Sequence, residues 1–203
     1  MMKTGRKIVA ASLVLLALVL VVFRLTSMQA REEGSGLPPT VAASVPDLKD
    51  IRGYKTWTRV HATPLLLPAP LDALCRMPTP KDSVETSSNP HRQKYFTVYV
   101  NEIGRPAMMS ELKPAFPEGS IIVKEKLLAP DSASPELLTV MVKREKGFNQ
   151  ESGDWEYLVV DGEQTKIEGR GKLANCQSCH ALKSETDYVF RSYLPEEVRQ
   201  SLR

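Results

Sequence analysis

The sequence predicts an α+β fold in which a mostly antiparallel β-sheet is flanked by helices. Four segments of 8–10 residues are rich in the aromatic and β-branched residues that favour strands. They are KYFTVYVN (94–101), SIIVKEKL (120–127), ELLTVMVKRE (136–145) and DWEYLVVDG (154–162). Glycine- and proline-containing turn signals separate these segments, as in Pro117-Glu118-Gly119. This spacing is typical of antiparallel strands and argues against a helical bundle.

Short helices are predicted between and after the strands. PDLKDIRGY (46–54) opens the domain, and PAMMSELK (106–113) starts with proline, as first helical turns often do. PEEVRQSLR (195–203) places acids in its first turn and arginine at its end, which suits the helix dipole. A further short helix is predicted at about 174–182.

The N-terminus predicts export from the cytoplasm. Residues 8–23 form an uncharged apolar run of sixteen residues behind Lys3, Arg6 and Lys7, and such basic residues stay on the cytoplasmic side. The length lies between the apolar core of a signal peptide and a full span of about 20 residues, so an uncleaved anchor and a cleaved signal both stay open. We predict a signal-anchor or signal peptide over 1–30, a linker over 31–46 and one domain over 47–203. The domain is expected in the periplasm, anchored to the inner membrane by residues 8–23 or released by cleavage.

The formal net charge of +3 belongs to the N-terminus. Residues 1–46 contain five basic and two acidic residues, which leaves 22 of each sign in the rest of the chain. A nucleic-acid-binding domain would need a basic stripe of its own. Nucleic acid is therefore not expected as a partner.

Cys176, Cys179 and His180 form a C-x-x-C-H motif. On one turn of helix, the two thiols can each add to a vinyl group of one haem, and the next residue can reach the iron through its imidazole. We therefore predict one covalent haem c. A redox disulfide would need a βαβ context, and a zinc site would need further ligands at suitable spacing. Cys75, the third cysteine, is interpreted as a buried apolar residue, with an intermolecular bridge or a reactive thiol as alternatives.

The motif lies near the C-terminus, with 23 residues after His180 and no methionine among them. Small electron-carrying cytochromes c instead place the motif near the N-terminus and a ligating methionine downstream. With its predicted sheet, the chain resembles the cytochrome P-460 family over about residues 50–194. The matching segments are YKTWTRV (54–60), FTVYVNEIG (96–104), FPEGSIIVKEKL (116–127), NQESGDWEYLVVD (149–161) and NCQSCHALKSETDYVF (175–190).

The resemblance implies a five-coordinate haem between a sheet and helices, with an open distal face. One branch of the family oxidises hydroxylamine and links a lysine covalently to the haem, and the other binds nitric oxide in an apolar pocket. Lys124 matches the linking lysine, although it could equally be a surface lysine of the sheet, as Lys126 is expected to be. Phe96 stands where hydroxylamine oxidisers have an arginine, and the strand with Thr139 offers no acid. Phe96 and Phe116 are the candidates for the distal pocket, with core packing as the alternative.

The sequence thus predicts a cytochrome that binds or oxidises a small nitrogen compound, hydroxylamine or nitric oxide. The alternative is a six-coordinate electron carrier, in which His61 or His91 would supply the distal ligand. A redox partner protein is expected in either case, and the resemblance also implies a homodimer.

Overall fold

The computed structural model describes residues 47–67 and 94–202. The predicted N-terminal signal and linker, Cys75 and His91 lie outside these described residues. Within 47–67 and 94–202, no helix is long and apolar enough to cross a membrane.

A single antiparallel sheet of seven strands forms the domain, and the four predicted strands are its centre. The strand order is β1-β3-β4-β5-β6-β7, and β2 pairs with β3 on the same edge as β1. The strands are β1 (Thr58–Arg59), β2 (Leu65–Leu67), β3 (Lys94–Val100), β4 (Ile121–Leu127), β5 (Leu137–Lys143), β6 (Trp155–Asp161) and β7 (Ile167–Gly171). The prediction of a mostly antiparallel α+β fold is confirmed.

The helices are few and short. They are α1 (Leu48–Ile51), α2 (Arg105–Met109), α3 (Ala174–His180) and α4 (Glu196–Ser201), with 3-10 turns at Tyr54–Thr56, Gln150–Ser152 and Ala181–Thr186. Each predicted helix occurs in a shortened form. The first ends at Ile51 and is followed by a 3-10 turn, and the helix of the C-x-x-C-H motif continues directly into one.

The two faces of the sheet carry two separate apolar clusters, because side chains alternate along each strand. One face, called the cavity face because a cavity lies against it, carries Val98, Ile122, Met141 and Tyr157. It is covered by the C-terminal segment through Val189 and Leu194. The opposite face carries Val123, Leu138 and Val160, and it packs against Ile51 and Tyr54. Of the two tryptophans of the chain, Trp155 is fully buried and Trp57 is partly buried.

An ion-pair cluster lies on β6, on the opposite face of the sheet. Glu156 is 4% exposed and lies between Arg144 and Arg170, whose nitrogens are each 2.7 Å from its carboxylate oxygens. Burial alone would raise the pKa of Glu156, but the hydrogen bonds from these two arginines bring it below its ordinary value. The cluster ties β6 to β7 and to the end of β5.

Candidate functional site

A cavity of about 390 Å³ lies against the cavity face of the sheet. Its volume is that of a typical cofactor or ligand pocket. It is lined by apolar strand residues, by the C-x-x-C-H helix and by the segment that follows it. The lining residues are Leu65, Leu66, Leu67, Phe96, Val98, Ile122, Lys124, Thr139, Val140, Met141, Tyr157, Leu158, Asn175, Cys176, Cys179, His180, Val189, Phe190, Ser192 and Tyr193.

Helix α3 brings Cys176, Cys179 and His180 to this cavity together. The two cysteines are three positions apart, so they lie about one turn apart on the same side of the helix. Asn149 tethers the helix to the sheet, because its amide nitrogen donates to the Trp155 carbonyl at 2.8 Å and to the Gln177 side chain at 2.7 Å. The three motif residues are thus held against one wall of a single pocket.

The imidazole of His180 is held in one tautomer. Nδ1 lies 2.7 Å from the carbonyl oxygen of Tyr188, and since a carbonyl only accepts, Nδ1 carries the proton. Nε2 therefore keeps its lone pair, which is the form of histidine that binds a metal. Although His180 borders the cavity and is partly exposed, burial by the surrounding protein lowers its pKa to about 4, and the charge of Lys124 acts in the same direction. The side chain is neutral at physiological pH.

The carbonyl that orients His180 is itself fixed by Asp187. The Asp187 carboxylate lies 2.7 Å from Lys143 Nζ and accepts the Phe116 amide at 2.8 Å. Its backbone carbonyl accepts the Trp155 indole N–H at 2.8 Å. Asp187 and Tyr188 have φ values of 52° and 64°, a left-handed conformation that non-glycine residues adopt only when their surroundings stabilise it. The Asp187 contacts supply that stabilisation.

Lys124 lies on β4 opposite Val98 and Thr139, and it lines the cavity. Its Nζ is 5.0 Å from the centroid of the Phe96 ring, within cation–π range. Lys126 points to the same face but is only 3% exposed. The expectation that Lys126 lies on the surface is wrong, because its side chain is buried in the folded domain, at the position opposite Phe96 in the register of β3 and β4.

The two phenylalanines proposed for the distal pocket lie in different surroundings. Phe96 lines the cavity. Phe116 lies outside the lining and packs edge to face on Trp155, with ring centroids 5.4 Å apart. Its backbone amide, which donates to Asp187, connects it to the site. The structure therefore brings Phe96, Lys124, Cys176, Cys179 and His180 to one cavity and leaves Phe116 in the core.

The profile of the Cytochrome P460 family matches residues 77–191, which is more than half of the chain. The chain belongs to the cytochrome P460 family. No curated protein matches the sequence. Membership implies a haem cofactor and a cytochrome of this type.

The residues around the cavity fit a haem. Two thiols one helical turn apart and a neutral imidazole with an available Nε2 form the donor set that a c-type haem requires. In metal-binding histidines, the ring nitrogen that does not bind the metal usually donates a hydrogen bond, and the Tyr188 carbonyl accepts such a bond from His180 Nδ1. The walls are mostly apolar, as expected for a porphyrin.

Several residues of the site were not predicted from the sequence. Tyr157 and Tyr193 line the cavity, and the Tyr157 ring centroid is 5.4 Å from that of His180. Asp187 lies within the segment 175–190, which carries the resemblance to the family, so the sequence did offer a signal for this residue. No sequence pattern marks a backbone carbonyl such as that of Tyr188.

Proposed function

We propose that this chain is an exported mono-haem cytochrome c that binds a small nitrogen compound at a five-coordinate haem. Cys176 and Cys179 would form the thioether bonds, and His180 Nε2 would be the axial ligand. Haem iron with an open position binds small ligands and exchanges electrons with them. The domain is proposed to be periplasmic, as proteins of this family generally are, with residues 8–23 as its membrane anchor or cleaved signal.

The observation that carries the proposal is the set of side chains along the cavity. Among the described residues of its lining, His180 is the only histidine. Met141 also lines the cavity, but it pairs with Tyr157, whose ring contacts that of His180. Met141 thus belongs to the same end of the cavity as His180, which leaves the other side without a protein ligand among the described residues. This arrangement supports the proposed open coordination position.

The remaining walls favour a small ligand of low charge. Of the described lining residues, Lys124 is the only one with a permanent charge, and none is a carboxylate. Phe96 and Val98 give the cavity apolar walls next to Lys124. Whether the chain binds the nitrogen compound or also oxidises it depends on Lys124, because a bond between its Nζ and the haem would alter the electronics of the macrocycle.

The absorption spectrum of the purified haem-loaded protein tests the proposal. A five-coordinate spectrum that changes on adding nitric oxide or hydroxylamine supports it, and a six-coordinate low-spin spectrum refutes it. A strongly red-shifted reduced Soret band indicates the lysine link and favours oxidation. Intact mass compared between the natural protein and Lys124→Met checks the link directly, and Lys126→Met is the matched control on the same face of β4.

A six-coordinate electron carrier is the second candidate, with His61 or His91 as the distal ligand. His61 packs edge to face on Phe96 and Tyr193, which line the cavity, and His91 lies outside the described residues. In that case, His61→Phe or His91→Phe would convert a low-spin spectrum to a five-coordinate one. An electron-exchanging protein also needs a redox partner, and we propose one for either function. A homodimer is proposed from the family resemblance, and gel filtration with light scattering tests it.

A further inference from the structure

His61 is a buried histidine with one ring nitrogen unused. The residue is 6% exposed, and its Nδ1 lies 2.7 Å from the Thr63 carbonyl oxygen, so Nδ1 is the protonated nitrogen. Nε2 is fully buried and has no hydrogen-bond partner in the described part of the chain. Because leaving a buried acceptor unpaired destabilises a fold, such a group in a native protein calls for an explanation.

Two aromatic rings separate His61 from the cavity. Its ring centroid is 5.5 Å from that of Phe96 and 5.9 Å from that of Tyr193, and those two rings are 5.7 Å apart. All three pairs are edge to face. Phe96 and Tyr193 line the cavity, whereas His61 lies directly behind them. A turn of the Phe96 ring would open a path between Nε2 and a ligand in the cavity.

The imidazole is in the state that accepts a hydrogen bond. Burial lowers the pKa of His61, the Thr63 bond opposes this, and the charge of Arg59 acts in the same direction as burial. A neutral ring with Nδ1 protonated presents a bare lone pair at Nε2. The described residues that line the cavity contain no carboxylate, and the lone pair of His180 is the one proposed to bind the iron. His61 would therefore supply a second neutral imidazole, behind the Phe96 ring.

We propose that His61 is a ligand-binding residue of this pocket, whose Nε2 accepts a hydrogen bond from an N–H or O–H group of the bound nitrogen compound when Phe96 turns aside. The inference rests on the proposed function and narrows its ligands to compounds that can donate a hydrogen bond, such as hydroxylamine. Nitric oxide has no hydrogen to donate and gains nothing from His61. The proposal also explains why a buried nitrogen is left without a partner.

Equilibrium binding to the haem-loaded protein tests the proposal, with hydroxylamine and nitric oxide as probes under anoxic conditions and without an added oxidant. His61→Phe keeps the aromatic ring and removes both nitrogens, and His61→Gln keeps a side-chain acceptor. Tyr99→Phe is the control, because it removes one hydroxyl from a buried tyrosine on the opposite face of the sheet, outside the cavity lining. Thermal unfolding of each variant provides a readout that does not depend on ligand.

His61→Phe should weaken hydroxylamine binding by about threefold to tenfold, the value of one net hydrogen bond, and leave nitric oxide binding within about twofold. It should leave the melting temperature unchanged or raise it by up to about 4 °C, because removing the unpaired buried Nε2 stabilises the fold, whereas losing the Nδ1 bond to Thr63 destabilises it. His61→Gln should retain most of the hydroxylamine affinity, and Tyr99→Phe should leave the ratio of the two affinities unchanged.

If His61→Phe lowered the affinities for hydroxylamine and nitric oxide by the same factor, the effect would come from altered packing, and the inference would be overturned. An unchanged hydroxylamine affinity would also overturn it, as would a lower melting temperature, which would show that the nitrogens stabilise the fold. A natural protein that binds neither probe overturns the proposed function and the inference together, whereas the other outcomes overturn the inference alone.

Discussion

Replacing Asp187 with asparagine should loosen the support of His180 while keeping the local shape. Asparagine tolerates the left-handed backbone conformation at this position, where φ is 52°, and its side-chain oxygen can still accept the Phe116 amide. The change that matters is the loss of the negative charge beside Lys143. Asp187→Asn therefore isolates the ion pair from the other contacts of the residue.

The size of the effect follows from burial. Lys143 Nζ is 2.7 Å from both Asp187 oxygens, and the two side chains are only 14% and 15% exposed. Removing one partner of a fully buried pair costs about 3–5 kcal/mol, because the other charge stays buried. The cost should be smaller here, because both side chains keep some exposure and the Lys143 ammonium also contacts the Trp155 ring, with 5.1 Å between Nζ and the ring centroid. We therefore expect Asp187→Asn to lower the free energy of unfolding by about 2–3 kcal/mol.

Denaturant unfolding of Asp187→Asn, Lys143→Met and the double variant measures the coupling between the two charges. The double variant should be more stable than the sum of the single effects predicts, by about 1–3 kcal/mol. Asp131→Asn, at an exposed position, is the control and should change stability by less than about 0.5 kcal/mol. In the haem-loaded protein, the iron–histidine stretching frequency should fall, because a weaker bond from Nδ1 to the Tyr188 carbonyl makes the ligand less basic. Additive single effects, or an Asp187→Asn protein as stable as the control, would refute the reasoning.

Three further predictions concern other parts of the domain. Glu156→Gln should lower the free energy of unfolding by about 3–5 kcal/mol at neutral pH, because it leaves the buried Arg144 and the partly exposed Arg170 without their shared counterion. Since the folded-state pKa of Glu156 is lowered, the natural protein should lose this stability as pH falls below about 4.5. In denaturant unfolding, the stability of the variant should depend less on pH in that range. Burial raises the pKa of Tyr157 to about 12. The neutral phenol therefore stabilises the fold below its unfolded-state pKa of about 10, and this stabilisation is lost as pH rises towards 12. Between these two values, Tyr157→Phe should reduce the slope of the unfolding free energy against pH by the equivalent of about one proton, and an unchanged slope would contradict the prediction. Replacing both Cys176 and Cys179 with serine should let acidified acetone extract the haem, whereas either single replacement should retain it through one thioether; haem-stained denaturing gels check this.

The central sheet could be predicted because its strands carry their own local signals. β3 to β6 are each seven residues long and combine β-branched and aromatic residues with flanking turns. β1, β2 and β7 were not predicted. β1 and β2 contain two and three residues, and β7 is IEGRG, in which glycine weakens the strand signal. These strands form because the edge of an existing sheet offers them hydrogen-bond partners.

The same distinction explains which parts of the site could be predicted. Cys176, Cys179 and His180 are adjacent in sequence, so their joint chemistry is visible in a single motif. Asp187 depends on Lys143, which is 44 positions away, and His61 depends on Phe96 and Tyr193, which come from different elements. Contacts of this kind arise only when the sheet assembles, so no local pattern predicts them.

The contrast between Phe96 and Phe116 shows how the sheet register decides the character of the cavity. Phe96 is opposite Lys126 in the pairing of β3 with β4, and strand alternation directs it to the cavity face, whereas Phe116 precedes β4 and has no such constraint. Along β4, Lys124 faces the cavity and Glu125 faces away, where its carboxylate accepts the Tyr54 hydroxyl at 2.5 Å. A register shift of one residue would place the carboxylate at the cavity wall and remove the lysine. The buried bond between Tyr54 and Glu125 therefore stabilises the register in which Lys124, the one permanently charged residue in the described part of the lining, faces the cavity. A contact on the opposite face of the sheet thus supports the electrostatics of the candidate haem site.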